Sequence, residues 1–170
     1  IAVEAECVSY GKAEEKMDWK GLPISMFDLD NVRVSADCLL GEGGQGLTFA
    51  MKGLGVGRIN IATCSIGTAQ MALDTAKSYM QERTQFGKPL AAFQALQFKL
   101  ADMATELVAA RQMVRLAAFK LDNEDPECSA YCAMAKRFAT DVGFNVCNEA
   151  LQIHGGYGYI KEYPLERYVR

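Results

Sequence analysis

Long segments rich in alanine, leucine and methionine, interrupted by only three prolines, occupy the chain from Gly46 to Arg170. Proline lacks an N–H donor and its ring clashes with the preceding helical turn, so helices rarely continue through it. Pro89, Pro126 and Pro164 therefore predict where helices are separated. A chain with this pattern can bury its apolar residues only by packing helices side by side.

The clearest helix is predicted from about Phe93 to Asn123, because apolar residues recur there at steps of three and four and share one face. The same spacing predicts helices at about 46–83 and about 127–153, and a fourth helix begins after Pro164. Asp125 suits the cap of the third helix, ahead of a proline in its first turn. Long helices with short links predict a mainly α fold, an antiparallel four-helix bundle.

A different pattern precedes the helices. Residues 1–43 carry turn signals around short β-prone runs, such as Ile24–Val34, where apolar and polar residues alternate. We interpret residues 1–43 as the strand remnant of a β-domain and residues 44–170 as the helical domain, truncated in its last helix. Two or three strands cannot bury a face alone, so we expect further β-structure upstream.

Composition excludes several functional classes. The chain has 170 residues, 50% of them hydrophobic, which is enough for a folded core. A net charge of -3 argues against a nucleic-acid partner, and no apolar stretch approaches the roughly 20 residues needed to cross a bilayer. The six cysteines contain no CxxC pair, and the single histidine lies far from Cys128 and Cys132. We therefore expect no metal site and a reducing compartment.

The segment RTQFGKPL, Arg83–Leu90, follows the first predicted helix and offers groups that can hold an anion. Arg83 is a permanent cation, and Thr84 and Gln85 add a hydroxyl and an amide. The same residues also fit an ordinary helix end, with Arg83 facing the negative end of the helix dipole and Gly87 breaking the helix. The residues alone leave both interpretations open.

A second segment, QIHGGYGY, closes the third predicted helix at Gln152–Tyr159. Its glycines would let a ligand approach the backbone, although a glycine cluster after a helix is also a common turn. His154 in this segment is more typical of a bystander than of a catalyst. Three glycines ahead of Arg58 are equally ambiguous, since each costs a helix roughly 1 kcal/mol against alanine and should be compensated by packing or a ligand.

Three longer runs occur in order along the chain: ERTQFGKPLAAFQALQFKLADMATELVAAR, MAKRFATD and ALQIHGGYGYIKEYPLERYVR. Together they resemble the C-terminal domain of the acyl-CoA dehydrogenase family. The stretch from KMDWKG to DNVRVSADCLLGEGGQG is similar to the passage from that family's middle β-domain into its helical bundle. Within the family, GRINIATCS, LADMATELVAAR and HGGYGY look most like members acting on short or branched acyl-CoA substrates.

The resemblance implies an FAD site shared across a dimer interface, so that most contacts from this chain would serve the flavin of a neighbouring subunit. The residues that match the family's FAD contacts are Arg83, Thr84, Gln85, Phe93, Gln94, Gln152, Gly155 and Gly156. Arg83 would pair with the pyrophosphate, and the segment after Gln152 would hold the adenosine end. These types fit their roles: a cation for phosphate, amides for hydroxyls, and glycine where backbone meets ligand.

The reaction implied by the resemblance is α,β-dehydrogenation of an acyl-CoA, with electrons passing from the flavin to an electron-transfer flavoprotein. Arg58 matches an arginine beside the acyl-CoA site, whereas Gly55 stands where the family usually has an acidic or amide residue. In most members the catalytic base is a glutamate shortly after the arginine matching Arg170; in two it occupies the position of Gly57. We therefore expect no catalytic residue within these 170 residues and no activity from this chain alone.

The resemblance also implies a homodimer or homotetramer assembled through the bundle. It would place the protein in the cytoplasm of a bacterium or the mitochondrial matrix of a eukaryote. Two alternatives remain open. One is a non-catalytic helical module that uses the bundle only for self-association, and the other is an acyl-CoA oxidase, whose flavin reacts directly with oxygen.

Overall fold

A computed structural model describes residues 7–170 of the chain. It divides into two compact units, one preceding Ala50 and the other running from Ala50 to Val169. The predicted domain boundary between residues 43 and 44 stays a prediction. The first residues of the predicted strand remnant, 1–6, lie outside the described part of the chain.

The first unit contains two short antiparallel strands, β1 (Val8–Tyr10) and β2 (Phe27–Leu29), with Ser9 opposite Asp28. The alternating apolar residues that predicted a longer strand are realised in β2 over only three residues. Ile24 and Met26 remain exposed in the described chain. The β-rich character of this segment is therefore present locally, but its apolar side chains do not form a core.

Four helices follow: α1 (Gly46–Glu82), α2 (Gln94–Asp122), α3 (Cys128–His154) and α4 (Leu165–Val169). Their bounds lie within one or two residues of those expected from the proline positions and the apolar spacing. The predicted mainly α fold of the helical-bundle type is thus confirmed. Among residues 7–170, no helix combines the length and apolar character required to span a membrane.

The helices of the second unit alternate in direction. Arg111 of α2 donates a hydrogen bond to Gln70 of α1 at 2.6 Å, and Lys99 near the start of α2 pairs with Glu149 near the end of α3. Because α2 runs against both neighbours, α1 and α3 are parallel and their C-terminal ends meet at one end of the bundle. The core between them is aliphatic, and its largest fully buried side chains are those of Met80, Leu107, Val146, Cys132 and Leu165.

The link between α2 and α3 is fixed by polar contacts. Asp125 accepts hydrogen bonds from Lys120 Nζ and from the backbone N–H of Glu127, both at 2.8 Å. These bonds lower the pKa of Asp125 and raise that of Lys120. The helix itself begins at Cys128. Asp125, predicted to cap this helix, instead accepts from the backbone N–H of Glu127, the residue just before the helix.

A glycine sets the separation of α1 and α3. A Cβ built on Gly143 would lie 3.1 Å from Cβ of Ser65 and 3.2 Å from its carbonyl oxygen. These contacts are shorter than normal van der Waals separations, and one of them is to backbone that cannot rotate away. The absence of a side chain at residue 143 therefore allows the two parallel helices to approach closely.

Gly143→Ala is expected to lower the stability of the bundle despite the better helix propensity of alanine. Overpacking of this kind typically costs about 1–3 kcal/mol, which exceeds a propensity gain of up to about 1 kcal/mol. The matched control is Gly67→Ala on α1, where no atom lies within 4 Å of the added Cβ, and this variant should be stabilised. Chemical denaturation of both variants gives the comparison, and equal stabilisation of the two would contradict the packing argument.

Candidate functional site

The segment after α1 forms a tight hairpin between β3 (Thr84–Gln85) and β4 (Lys88–Pro89). Its two central residues, Phe86 and Gly87, have φ values of 54° and 78°, as in a two-residue type I′ turn. The interpretation of Gly87 as the residue that breaks α1 is therefore wrong. The helix has already ended at Glu82, and the glycine is required by the turn.

Phe86 at the tip of this hairpin is unusual in two respects. A bulky residue with positive φ is uncommon, and the side chain is 91% exposed. Its ring lies nearly perpendicular to that of Phe93, with centroids 6.2 Å apart, while Lys88 Nζ lies 4.3 Å from the centroid of Phe93. The hairpin thus displays an aromatic ring that contributes little to the core.

The end of α3 turns sharply at Gly155, whose φ of 57° and ψ of -130° are accessible to glycine but not readily to other residues. A short 3-10 turn follows over Gly155–Tyr159. Gly158 within it is buried, and a Cβ there would collide with the carbonyl oxygen of Leu151. In the HGGYGY motif, Gly155 is therefore required by its backbone conformation and Gly158 by the lack of space for a side chain.

An open groove of about 450 Å³ lies where the ends of α1 and α3 meet the hairpin. Four of the residues predicted to bind a cofactor line it: Arg83, Gln85, Gly155 and Gly156. The remaining lining residues are Tyr79, Leu90, Ile153, His154, Tyr157 and Ile160. Two motifs about 70 residues apart in sequence thus share one concave surface.

Arg83 is the only cationic side chain that lines this groove within the described chain. Its guanidinium carbon lies 5.4 Å from the centroid of the Tyr157 ring, close enough for a cation–π contact. Between residues 7 and 170, no carboxylate comes within ion-pair distance of it. The arginine is thus oriented by an aromatic ring while its charge stays available to an anion.

His154 lies at the floor of the groove and is only 2% exposed. Its ring stacks on Tyr79 with centroids 4.1 Å apart and meets the edge of Tyr163 at 5.3 Å. Nδ1 donates to the carbonyl oxygen of Ala150 at 2.8 Å, and Nε2 has no partner among the described residues. Burial lowers the pKa of His154, with the bond to Ala150 opposing it, so the ring is a neutral structural support.

Other predicted residues are not gathered into the groove. Thr84, Gln94 and Gln152 are exposed outside it, and Phe93 packs against the hairpin. Arg58 lies 24 residues before the end of α1, which is about 36 Å along the helix. Its charge opposes the burial that raises the pKa of Cys132, which places Arg58 near the start of α3. Arg58 and Arg83 thus occupy opposite ends of the bundle.

Sequence reasoning did not select the aromatic residues of the groove. Tyr79 precedes Arg83 by one helical turn, and Tyr157 lies between glycines, so both had a positional signal that was not used. Burial raises the pKa of Tyr79, and the nearby charge of Arg83 acts in the opposite direction.

No three His, Cys, Asp or Glu side chains within residues 7–170 are arranged to hold a metal ion.

Comparison with known proteins gives a consistent result. A family model described as acyl-CoA dehydrogenase, C-terminal domain, matches residues 44–170. The chain is 48% identical over 163 residues to mitochondrial isobutyryl-CoA dehydrogenase of Bos taurus, covering 96% of this chain and 39% of the relative. It is 46% identical over 170 residues to the caffeyl-CoA reductase-Etf complex subunit CarC of Acetobacterium woodii, covering 100% of this chain and 45% of that one.

The fold is also similar to that of a solved structure. Butyryl-CoA dehydrogenase from Megasphaera elsdenii superimposes with a TM-score of 0.94 at 42% identity, covering 99% of this chain and 44% of that one. The chain therefore spans less than half the length of the relatives that it matches.

His154→Phe is expected to flatten the acid side of the stability profile. The folded state holds the pKa of His154 below its usual value of 6.5, so below that pH the unfolded chain binds a proton that the folded chain does not. Stability therefore falls as the pH drops from about 6.5 toward the folded pKa, by up to about 1.4 kcal/mol per pH unit for one proton. Phenylalanine keeps the ring on Tyr79 and removes this proton.

The measurement is urea denaturation at a series of pH values from 7 downward, in parent and variant. Because His154 is the only histidine in the sequence, the difference between the two curves isolates its contribution. Carboxylates titrate lower, below about pH 5, and are common to both proteins. Parallel curves would contradict the assignment of a buried neutral imidazole.

Proposed function

The chain belongs to the acyl-CoA dehydrogenase family, and from that premise we propose that it is the helical C-terminal part of an FAD-dependent acyl-CoA dehydrogenase. The proposed substrate is a short or branched acyl-CoA, and the proposed electron acceptor is an electron-transfer flavoprotein. The 48% identity to an isobutyryl-CoA dehydrogenase supports the proposed substrate. The similarity to a subunit of a caffeyl-CoA reductase-Etf complex supports the proposed electron acceptor. The compartment would be the cytoplasm in a bacterium and the mitochondrial matrix in a eukaryote.

The observation that carries the proposal is the groove shared by Arg83, Gln85, Gly155 and Gly156. A diphosphate needs a cation whose N–H groups are not already paired and a backbone that it can approach closely. Arg83 meets the first requirement, since no described carboxylate pairs with it, and the two glycines meet the second. The residues present therefore fit the pyrophosphate of FAD.

The flavin supplies the redox chemistry when bound, by accepting hydride from the β-carbon of the substrate. The residues of this chain would bind and orient it. Arg83 would pair with the pyrophosphate, Gln85 would donate beside it, and Tyr157 would keep the guanidinium in place. Phe86, held outward in a strained turn, is a further candidate contact that the motif alone did not single out.

The distance between Arg58 and Arg83 supports a site shared between subunits. At about 36 Å along α1, the two arginines cannot contact ligands in the same small-molecule pocket. We propose that Arg83 serves the flavin of a neighbouring subunit and Arg58 the acyl-CoA of its own. Each active site would then need at least two copies of this chain.

No residue lining the groove is positioned as the base that removes the α-proton. None of the lining residues is an aspartate or glutamate, and Glu149 at the same end of the bundle is paired with Lys99. His154 is only 2% exposed, and its Nε2, the nitrogen with the free lone pair, is unpartnered within the described chain and itself buried, so we do not propose it as the base. We propose that the base lies outside these residues.

The direction of the reaction has a second candidate. At 46% identity, the caffeyl-CoA reductase subunit is nearly as similar to this chain as the isobutyryl-CoA dehydrogenase is. Reduction of an α,β-unsaturated acyl-CoA is the reverse of the proposed dehydrogenation and would use the same groove. Comparing turnover of a saturated acyl-CoA plus acceptor with that of an enoyl-CoA plus reduced donor distinguishes them. Reoxidation of the flavin by oxygen during turnover would instead favour an acyl-CoA oxidase. Absence of bound flavin would favour a non-catalytic helical module.

Arg83→Ala is expected to weaken flavin retention at least tenfold in the purified flavoprotein, and Arg83→Lys to have an intermediate effect. Lysine keeps the charge but loses the planar fork that pairs two phosphate oxygens and stacks on Tyr157. Flavin content after gel filtration, from the absorbance ratio of flavin to protein, gives the measurement.

Arg58→Ala is the matched control for these variants, because it removes an arginine at the opposite end of the bundle. It should leave flavin content unchanged while raising the KM for acyl-CoA. Equal flavin loss from Arg58→Ala and Arg83→Ala would indicate general destabilisation, and full retention in both Arg83 variants would remove the pyrophosphate assignment.

The 170-residue chain by itself should show no dehydrogenase activity even with excess FAD. Positioning of reactants alone can account for about 7 kcal/mol of a barrier, and this chain would lack the base as well. The measurement is anaerobic bleaching of flavin absorbance after addition of isobutyryl-CoA or butyryl-CoA. Substrate-dependent bleaching would show that a proton-accepting group within these residues had been overlooked.

A further inference from the structure

Tyr163 joins three other aromatic rings beside the groove. Its ring centroid lies 5.3 Å from that of His154 and 5.7 Å from those of both Tyr79 and Tyr157. The ring planes are inclined at 63°, 83° and 60°, which is the edge-to-face range that aromatic pairs favour. We refer to these four residues as the aromatic cluster. Tyr163 does not itself line the groove, although its three ring partners do.

The segment that follows Tyr163 restrains its position. Pro164 is the next residue, and a residue that precedes proline is largely confined to extended backbone conformations. Leu165 then begins α4 with a fully buried side chain. The carbonyl oxygen of Pro164 accepts hydrogen bonds from the backbone N–H groups of Arg167 and Tyr168, at 3.1 and 3.3 Å. Tyr163 therefore enters the aromatic cluster from a well-anchored part of the chain.

Tyr157 has fewer restraints of its own. It lies between Gly156 and Gly158 in the short 3-10 turn, and its side chain is 42% exposed. Within the described chain, Tyr163 provides the only aromatic ring that packs against it. The guanidinium carbon of Arg83 also lies near this ring, 5.4 Å from its centroid. The ring on which Arg83 rests is thus held in place by Tyr163.

The backbone of Arg83 is fixed independently of this contact. Its N–H donates to the carbonyl oxygen of Tyr79 at 2.9 Å, and its own carbonyl oxygen accepts from the N–H of Leu90 at 2.8 Å. Beyond the backbone, the long side chain has several rotatable bonds, and no described carboxylate pairs with it. Attraction between the cation and the face of the Tyr157 ring therefore restricts where the guanidinium lies.

We propose that Tyr163 is a positioning residue of the groove. It holds the ring of Tyr157 against Arg83 and so sets the direction from which the guanidinium meets a phosphate. All three contacts of Tyr163 in the aromatic cluster are ring to ring, so the ring carries the effect and the hydroxyl does not. The inference rests on the proposed pyrophosphate role of Arg83, and it adds a residue that does not touch the ligand.

Titration of the apoprotein of the purified flavoprotein with FAD, followed by flavin fluorescence, tests the proposal. Tyr163→Leu removes the ring and should raise the Kd for FAD about fivefold, the scale of one cation–π contact. Tyr163→Phe keeps the ring and should restore binding to within about twofold of the parent.

Tyr168→Leu is the matched control. Tyr168 is another half-buried tyrosine of the same segment, and it packs against the core without a ring contact to the aromatic cluster in the described chain. Its loss should lower stability in urea denaturation while leaving the Kd for FAD at the parent value. A purely structural role of Tyr163 would instead make the two leucine variants alike.

A double-mutant cycle separates positioning from general damage to the fold. In an Arg83→Ala background the guanidinium is absent, so Tyr163→Leu should cause no further loss of FAD affinity. Tyr157→Leu gives a second test at an exposed side chain, where a folding defect is not expected. It should also raise the Kd about fivefold, and adding Tyr163→Leu to it should change the Kd no further.

Four results would each overturn the proposal. They are equal Kd values for Tyr163→Leu and Tyr163→Phe, an equal loss of affinity in Tyr168→Leu, an undiminished effect of Tyr163→Leu in the Arg83→Ala background, and a parent Kd in Tyr157→Leu. The last of these decides the question even where Tyr163→Leu does not fold.

Failure of the pyrophosphate assignment would be recognised separately, as an Arg83→Ala variant with the parent Kd for FAD. The Nε–H resonance of Arg83 in the chain without flavin, assigned by its loss in Arg83→Ala, then decides the inference. A nearby aromatic ring shifts this NMR signal, so it should move in Tyr163→Leu and stay in place in Tyr163→Phe. An unchanged signal in Tyr163→Leu would show that Tyr163 does not position Arg83.

Discussion

The burial of one apolar stripe from each long helix, combined with links of five and eleven residues between them, is the constraint on which the rest of this structure depends. A five-residue connection between α2 and α3 forces the chain to reverse, and the hairpin after α1 does the same. Two reversals make α1 and α3 parallel neighbours. Their close approach at Gly143 and Ser65 is the point at which this arrangement tolerates least change.

The position of the groove follows directly from that parallel pairing. Because α1 and α3 end together, the hairpin after the first and the glycine turn after the second meet, although they are far apart in sequence. The stacked rings of Tyr79 and His154 join the two helix ends below the groove. The guanidinium of Arg83 lies against the ring of a further aromatic residue, Tyr157. His154, which its sequence position suggested to be a bystander, is therefore a structural support of the candidate site.

The same arrangement distributes functions over the surface of the bundle. Arg83 and Arg58 mark its two ends, so on our proposals a single copy contributes to two binding sites without completing either of them. The chain also spans less than half the length of its relatives. On our proposals, catalysis and assembly are coupled, since the flavin site needs residues from two copies and the helical bundles hold those copies together.

The sequence by itself determined the helices, their approximate bounds and the family, because apolar periodicity, proline positions and ordered motifs are local properties of the chain. It also located the two motifs that line the groove. Only the tertiary structure decided which of their residues meet. Arg83, Gln85 and two glycines share the groove, whereas Thr84, Gln94 and Gln152 are exposed and do not line it. The turn at Phe86, the burial of His154 and the close contact at Gly143 were likewise inaccessible to pattern reading. The burial of His154 and the contact at Gly143 depend on atoms that are distant in sequence, and the turn at Phe86 depends on a backbone angle. The spacing of residue types along the chain encodes neither kind of information.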